Sequence, residues 1–131
     1  MRLLSSLIFT ALLASAGVTS VHVIERSDVL GNTSFGSAGP YERIVAKAHY
    51  AVDPKTDANR IISDIDLAPR NGEGLVEFSA DIYVLKPRDP KSGNGTVLFE
   101  VSNRGNKGMV SMFSMGGGGA DPRGEKDFGD R

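Results

Sequence analysis

The chain has 131 residues, with 15 Lys and Arg against 16 Asp and Glu, a formal net charge of −1, and no Cys. That length suits one domain of the common size, about 100–150 residues. A near-neutral balance with no basic stripe points away from nucleic acid, and the missing Cys excludes a disulfide framework, a thiolate metal site and a Cys nucleophile.

The N-terminus reads as an export signal. Met1 and Arg2 precede the apolar run Leu3 to Val18, and small residues suited to cleavage follow at Ala14-Ser15-Ala16 and Val18-Thr19-Ser20. The run is shorter than the roughly 20 apolar residues that cross a bilayer, so the alternative of an uncleaved anchor helix is disfavoured. Two regions follow: 1–20 as a signal peptide cleaved near Ala16 or Ser20, and 21–131 as the mature, secreted or periplasmic part. Cleavage leaves no stable membrane span.

Along the mature part, Val21 to Glu25 alternates apolar and polar side chains and predicts a short strand. Gly31 to Pro40 is turn-rich. Tyr41 to Pro54 resumes a two-residue period, with Ile44, Ala46, Ala48 and Tyr50 on one face and Val45, Lys47, His49 and Ala51 on the other. Asp53-Pro54 favours a turn, and Arg60 to Pro69 reads as a further strand. Leu75 to Pro87 is the clearest strand, setting Val76, Phe78, Ala80, Ile82 and Val84 against Glu77, Ser79, Asp81 and Tyr83.

A turn through Arg88 to Gly95 leads into "TVLFEV", Thr96 to Val101, whose few polar interruptions suit the interior of a covered sheet. Met109, Met112 and Met115 stand three apart and predict about two helical turns, their apolar face filling a core or meeting another protein. The run Gly116 to Gly119 ends that helix and reads as a flexible linker. The tail from Ala120 to Arg131 shows no device that would close a sheet or dock a helix. It reads as incomplete at the C-terminus.

The phrases "SFGSAGPYERIVAKAHYAVDP", "DIDLAPRNGEGLVEFSADIYVLKP" and "GTVLFEVSNRGNKG", in this order, resemble the N-terminal portion of a family of exported α/β-hydrolase-domain proteins. The likeness spans about Val21 to Arg131. It implies an α/β-hydrolase-like fold present only as its N-terminal fragment, β-rich with about four to six strands and one short helix near 109–115. Members of that family are several times longer. A full-length member is implied to be a serine hydrolase of a small-molecule ester or amide, its nucleophile on a later G-x-S-x-G elbow with an acid and a His following.

This chain has no G-x-S-x-G. Ser34 stands three residues after Gly31, and Ser114 follows the bulky Met112 and Phe113; neither fits the tight elbow. His22 and His49 both fall on predicted strands, where a surface role outweighs catalysis. Asp64 and Asp66 share one face of the predicted 60–69 strand and read as solvated carboxylates rather than an acid/base or cation pair. No catalytic triad, cofactor site or metal site emerges.

The resemblance places the loop after "TVLFEV" where an α/β-hydrolase offers backbone N–H groups to a developing oxyanion. The candidate oxyanion-loop positions are Asn103, Arg104, Gly105 and Asn106, with Lys107 adding positive potential and Gly108 further backbone freedom. The competing reading is a structural turn whose Arg104 pairs with a carboxylate. Asn32-Thr33-Ser34 and Asn94-Gly95-Thr96 fit N-x-[ST] and become glycan acceptors only in a eukaryotic secretory pathway. Alongside the hydrolase-segment expectation stands a second one: a small exported β-rich binding or interaction module without catalysis.

Overall fold

The computed structural model describes residues 17–102, 107–117 and 121–129, the side chain of Ser114 excepted. Three strands dominate: β1 (Val18–Asp28), β2 (Tyr41–Val52) and β3 (Val76–Pro87). They form one antiparallel sheet in the order β1-β2-β3, so β2 is central. Two short helices accompany it, α1 (Asp57–Arg60) and α2 (Met109–Ser114), along with several 3-10 turns.

This architecture corrects the expected fold class. Three antiparallel strands replace the expected four to six, and the arrangement is not that of an α/β-hydrolase. Two of the expected strands do not form. Residues 60–69 are instead held by local bonds, the Ile62, Ile65, Leu67 and Ala68 N–H groups donating to the Asn59, Ile62, Asp64 and Ile65 carbonyls at 3.0, 3.3, 2.9 and 3.2 Å, and they follow a bonded turn. The Asp53 carboxylate accepts from the Lys55 N–H at 2.9 Å, and the Asp53 carbonyl accepts from Thr56 Oγ1 at 3.1 Å and from Asn59 Nδ2 at 2.8 Å. Such side-chain-to-backbone bonds offer the polypeptide an alternative to a ladder, and here they start α1. Asp64 then takes a left-handed conformation at φ 59° and leads into a 3-10 turn over Ile65–Leu67. The paired strand-face carboxylates therefore do not exist.

"TVLFEV" likewise forms no strand. Val97, Phe99 and Val101 are 86%, 80% and 82% exposed. A strand is stabilised by its partner's ladder and by burial of its faces, and this segment has neither among the described residues.

By their contacts the described residues fall into two compact units, one from 17–21 with 48–79 and the other from 22–47 with 80–129. In the first, the Ala51 N–H donates to the Gly17 carbonyl at 2.7 Å, and Tyr50 stacks on Phe78 with ring centres 4.9 Å apart. Its buried residues are Ala48, Pro54, Ile65 and Val76.

In the second unit, the antiparallel register is marked by Arg26 beside Glu42 at 3.1 Å and by Lys47 beside Asp81 at 2.9 Å. Val29, Ala46, Pro122 and Phe128 are its buried apolar residues. The turn after β1 contains Leu30, Gly31 and Asn32, all at positive φ (47°, 59° and 73°). Phe35 then packs edge-on against Tyr41 and Phe128, at 5.3 and 5.8 Å.

Phe128 also corrects the reading of the tail, because residues 121–129 dock instead of trailing. Gly116 shares in this docking and is no linker residue. The Gly117 N–H donates to the Lys126 carbonyl at 2.9 Å, and a Cβ on Gly116 would overlap the Asp127 carbonyl. Gly116→Ala is expected to cost about 2 kcal/mol, as overpacking against backbone does. Faster hydrogen exchange at the Gly117 amide would report it; unchanged protection would show that the close approach contributes nothing.

α2 begins where expected, but Met115 at φ 51° supplies its left-handed end instead of a glycine. Met112, Phe113 and Met115 are 75%, 67% and 77% exposed, so this face fills no core.

Candidate functional site

The four candidate oxyanion-loop positions, Asn103, Arg104, Gly105 and Asn106, lie outside the described residues. Their flanks are described. The Glu100 carboxylate accepts from the Gly108 N–H at 3.0 Å and from the Met109 N–H at 3.1 Å, closing the loop with a charge-assisted staple. Two backbone donors beside the expected oxyanion loop are thus engaged by the protein's own carboxylate.

Lys107 places its Nζ 4.3 Å from the centre of the Tyr83 ring, a distance at which a cation is drawn to the ring face. Tyr83 in turn neighbours a cluster that is the densest polar arrangement of the 22–47 and 80–129 unit. Arg43, on β2, has a side chain 7% exposed and lies 5.4 Å from the Tyr83 ring centre. Its Nε and Nη2 donate to the two Asp121 carboxylate oxygens at 2.8 and 3.1 Å. Its Nη1 meets Glu25 at 2.6 Å and Ser27 Oγ at 3.4 Å. Arg123 also reaches Asp121, at 2.8 Å, and approaches Glu25 at 3.7 Å. The two-pronged grip of Arg43 on Asp121 matches the planar fork of a guanidinium to a carboxylate.

These contacts shift the ionisations. The bond from Arg43 holds the Glu25 carboxyl below the usual carboxylate range, against the opposing effect of desolvation. Burial opposes ionisation of Asp121, yet the bonds from Arg43 and Arg123 carry its pKa below the ordinary value. The bond to Glu25 leads in raising Arg43 above its ordinary range against desolvation, with Asp121 adding to the rise, so it remains a permanent cation. Burial pushes the Tyr83 phenol up, the Asp121 charge adds to the rise and Arg43 opposes it. The buried Tyr83 hydroxyl forms no well-aligned hydrogen bond with the described residues.

On the opposite face of β2, Glu42 meets Arg26 and Lys86, and the bond from Lys86 leads in lowering its pKa. All three carboxyls ionise more readily in the folded protein than in the unfolded one. Their stabilisation is therefore present above their unfolded pKa values and lost as pH falls through the depressed folded ones. Thermal midpoints are expected to hold steady from pH 7 to about 5 and to fall steeply below about pH 4, where carboxylates protonate. A midpoint at pH 3 equal to that at pH 6 would refute this coupling.

The remaining candidates are dispersed. His22 and His49 are exposed on β1 and β2. His49 borders an open hollow of about 420 Å³ with Thr19, Ser20, Tyr50, Glu77, Phe78 and Ser79. Ser34 Oγ donates weakly to the Gly36 carbonyl at 3.5 Å, and Asp66 pairs with Arg70 at 3.2 Å. The described residues thus assemble no nucleophile, base and orienting acid. Nor do three His, Asp or Glu side chains among them converge as a cation site, and no described helix is long and apolar enough to cross a membrane.

Sequence reading passed over Arg43, Tyr83 and Asp121. The available signal was the Glu42-Arg43 pair at the start of β2, since adjacent opposite charges in a strand each require a partner on their own face of the sheet. No family model, curated protein or solved structure matches the sequence.

Proposed function

We propose that these residues form a non-catalytic, β-rich part of an exported hydrolase acting on an ester or amide, whose reacting groups reside on polypeptide outside them. The observation that carries the reading is the state of Thr96 to Val101, an apolar, strand-competent segment whose Val97, Phe99 and Val101 stand almost fully exposed. Contiguous exposed apolar surface of this kind marks a place where further polypeptide packs. The family resemblance of the "GPYE", "DLAPRN", "DIYVLKP" and "NRGNKG" phrases supplies the hydrolase context. The antiparallel sheet contributes nothing to that assignment.

A second reading, a small exported interaction module without catalysis, is favoured by a different observation. The tail docks through Phe128 and Asp121, giving its unit a satisfied ionic cluster of its own.

Both readings expect the purified protein to leave a nitrophenyl ester intact, because loss of triad members removes several orders of magnitude of rate. Turnover abolished by a serine-directed inhibitor would overturn both. The gene beyond the Arg131 codon separates them. An open frame reaching G-x-S-x-G supports the hydrolase part, and an immediate stop codon supports the module.

A further inference from the structure

Two Asn-Gly steps, Asn71-Gly72 and Asn94-Gly95, differ sharply in how the fold holds them. We propose that Asn94 is a self-modification site, converting to aspartate and isoaspartate through a succinimide, while the same chemistry at Asn71 is suppressed by the fold.

The reaction needs the backbone nitrogen of the following residue to reach the carboxamide carbon of the Asn. At Asn94, the Gly95 nitrogen bonds to Cγ, the Cγ–Nδ2 bond breaks, and ammonia departs with the proton from the Gly95 amide. Solvent water then adds across the imide. Opening the bond between Cγ and the Gly95 nitrogen leaves aspartate. Opening the bond between that nitrogen and the Asn94 backbone carbonyl leaves isoaspartate, with the backbone now running through Cγ. No redox partner is involved.

Glycine at the following position removes the Cβ that would obstruct this approach. Gly95 sits at φ 77° with open space where a Cβ would lie. Asn94 is exposed, and its Oδ1 accepts from the Thr96 N–H at 2.9 Å. That bond points a donor at the oxygen where negative charge develops when Cγ is attacked, a favourable placement for the transition state.

Asn71 has donors in the same place but no freedom to use them. Its Oδ1 accepts from the Glu73 and Leu75 N–H groups, both at 3.0 Å, and its Nδ2 donates to Glu77 Oε1 at 2.7 Å. Its backbone is bonded as well: its N–H donates to the Leu75 carbonyl and its carbonyl accepts from the Gly74 N–H, each at 2.9 Å. The rotation that brings the Gly72 nitrogen onto Cγ breaks this set.

Conversion at Asn94 adds a new carboxylate and, in the isoaspartyl product, a backbone methylene, two residues ahead of the exposed 96–101 segment. An N-linked glycan on Nδ2 would block the step, so the two fates of this Asn-Gly-Thr compete.

The test is incubation of the protein, made without glycosylation, at 37 °C and mildly alkaline pH, followed by tryptic mass mapping. The peptides carrying Asn71 and Asn94 are distinct. Asn94 is expected to convert about tenfold or more faster than Asn71, the rate consequence of two additional side-chain hydrogen bonds at Asn71. In urea the two rates converge. Gly95→Ala suppresses conversion at position 94, and Glu77→Ala accelerates it at Asn71. Equal native rates at the two sites, or faster conversion of Asn71, would overturn the proposal.

Discussion

Replacing Arg43 with methionine is expected to lower the thermal midpoint by about 10 °C, corresponding to a loss of about 2 kcal/mol for a domain of this size. Arg43 is the only described cation that touches Glu25, Asp121 and the Tyr83 ring together. Without it Glu25 and Asp121 keep only the more exposed Arg123 between them. Removal of one partner from a fully buried pair costs about 3–5 kcal/mol. The Glu25 and Asp121 side chains are 40% and 38% exposed, so water recovers part of that and the lower figure applies. Arg43→Lys restores only part of the loss, because one ammonium cannot grip both Asp121 oxygens in the plane of a fork. The contrasting change, Arg123→Ala, removes a side chain 61% exposed and costs under about 1 kcal/mol. Calorimetry of the three variants decides the matter. Equal midpoints for Arg43→Met and the parent protein would show that the cluster is ornamental.

The double replacement Val97→Thr with Phe99→Ser is expected to act on association instead of stability. Both side chains are more than three-quarters exposed, so their removal changes folding stability by no more than about 0.5 kcal/mol. It takes away the apolar stripe by which the segment recruits an unpaired edge, a common route to sheet-mediated association. Binding of an apolar dye and light scattering at micromolar concentration should both fall severalfold. Unaltered scattering would mean that association runs through another surface, such as exposed Val21, Val23 and Ile24 of β1, and that residues 96–101 are not its route.

What the sequence made legible follows the strength of its periodicity. β2 and β3 were readable because Ile44, Ala46 and Ala48, and Val76 with Ile82 and Val84, repeat at two and are bounded by turn residues. α2 was readable from methionines three apart. Arg60 to Pro69 misled because its apolar residues suited a strand, while the turn and 3-10 bonds that take up the Ile62, Ile65, Leu67 and Ala68 N–H groups are visible only in three dimensions. Thr96 to Val101 misled for the converse reason. Its composition is that of a buried strand, but strand formation depends on a neighbour that composition cannot supply. The Glu42-Arg43 pair signalled buried partners, but which residue answers Arg43 was illegible because Asp121 stands 78 positions away.

Glu42 and Arg43 are consecutive, and a strand turns consecutive side chains to opposite sides. Glu42 meets Arg26 and Lys86 on one side, whereas Arg43 meets Glu25 and Asp121 on the other. Sliding β2 by a single position one way would set the glutamate against Glu25 and Asp121, and sliding it the other way would set the arginine against Arg26 and Lys86, so either misaligned pairing meets a charge of its own sign. In a sheet with little greasy interior to dictate alignment, this adjacent pair of opposite signs works as a key that fits one setting of the lock.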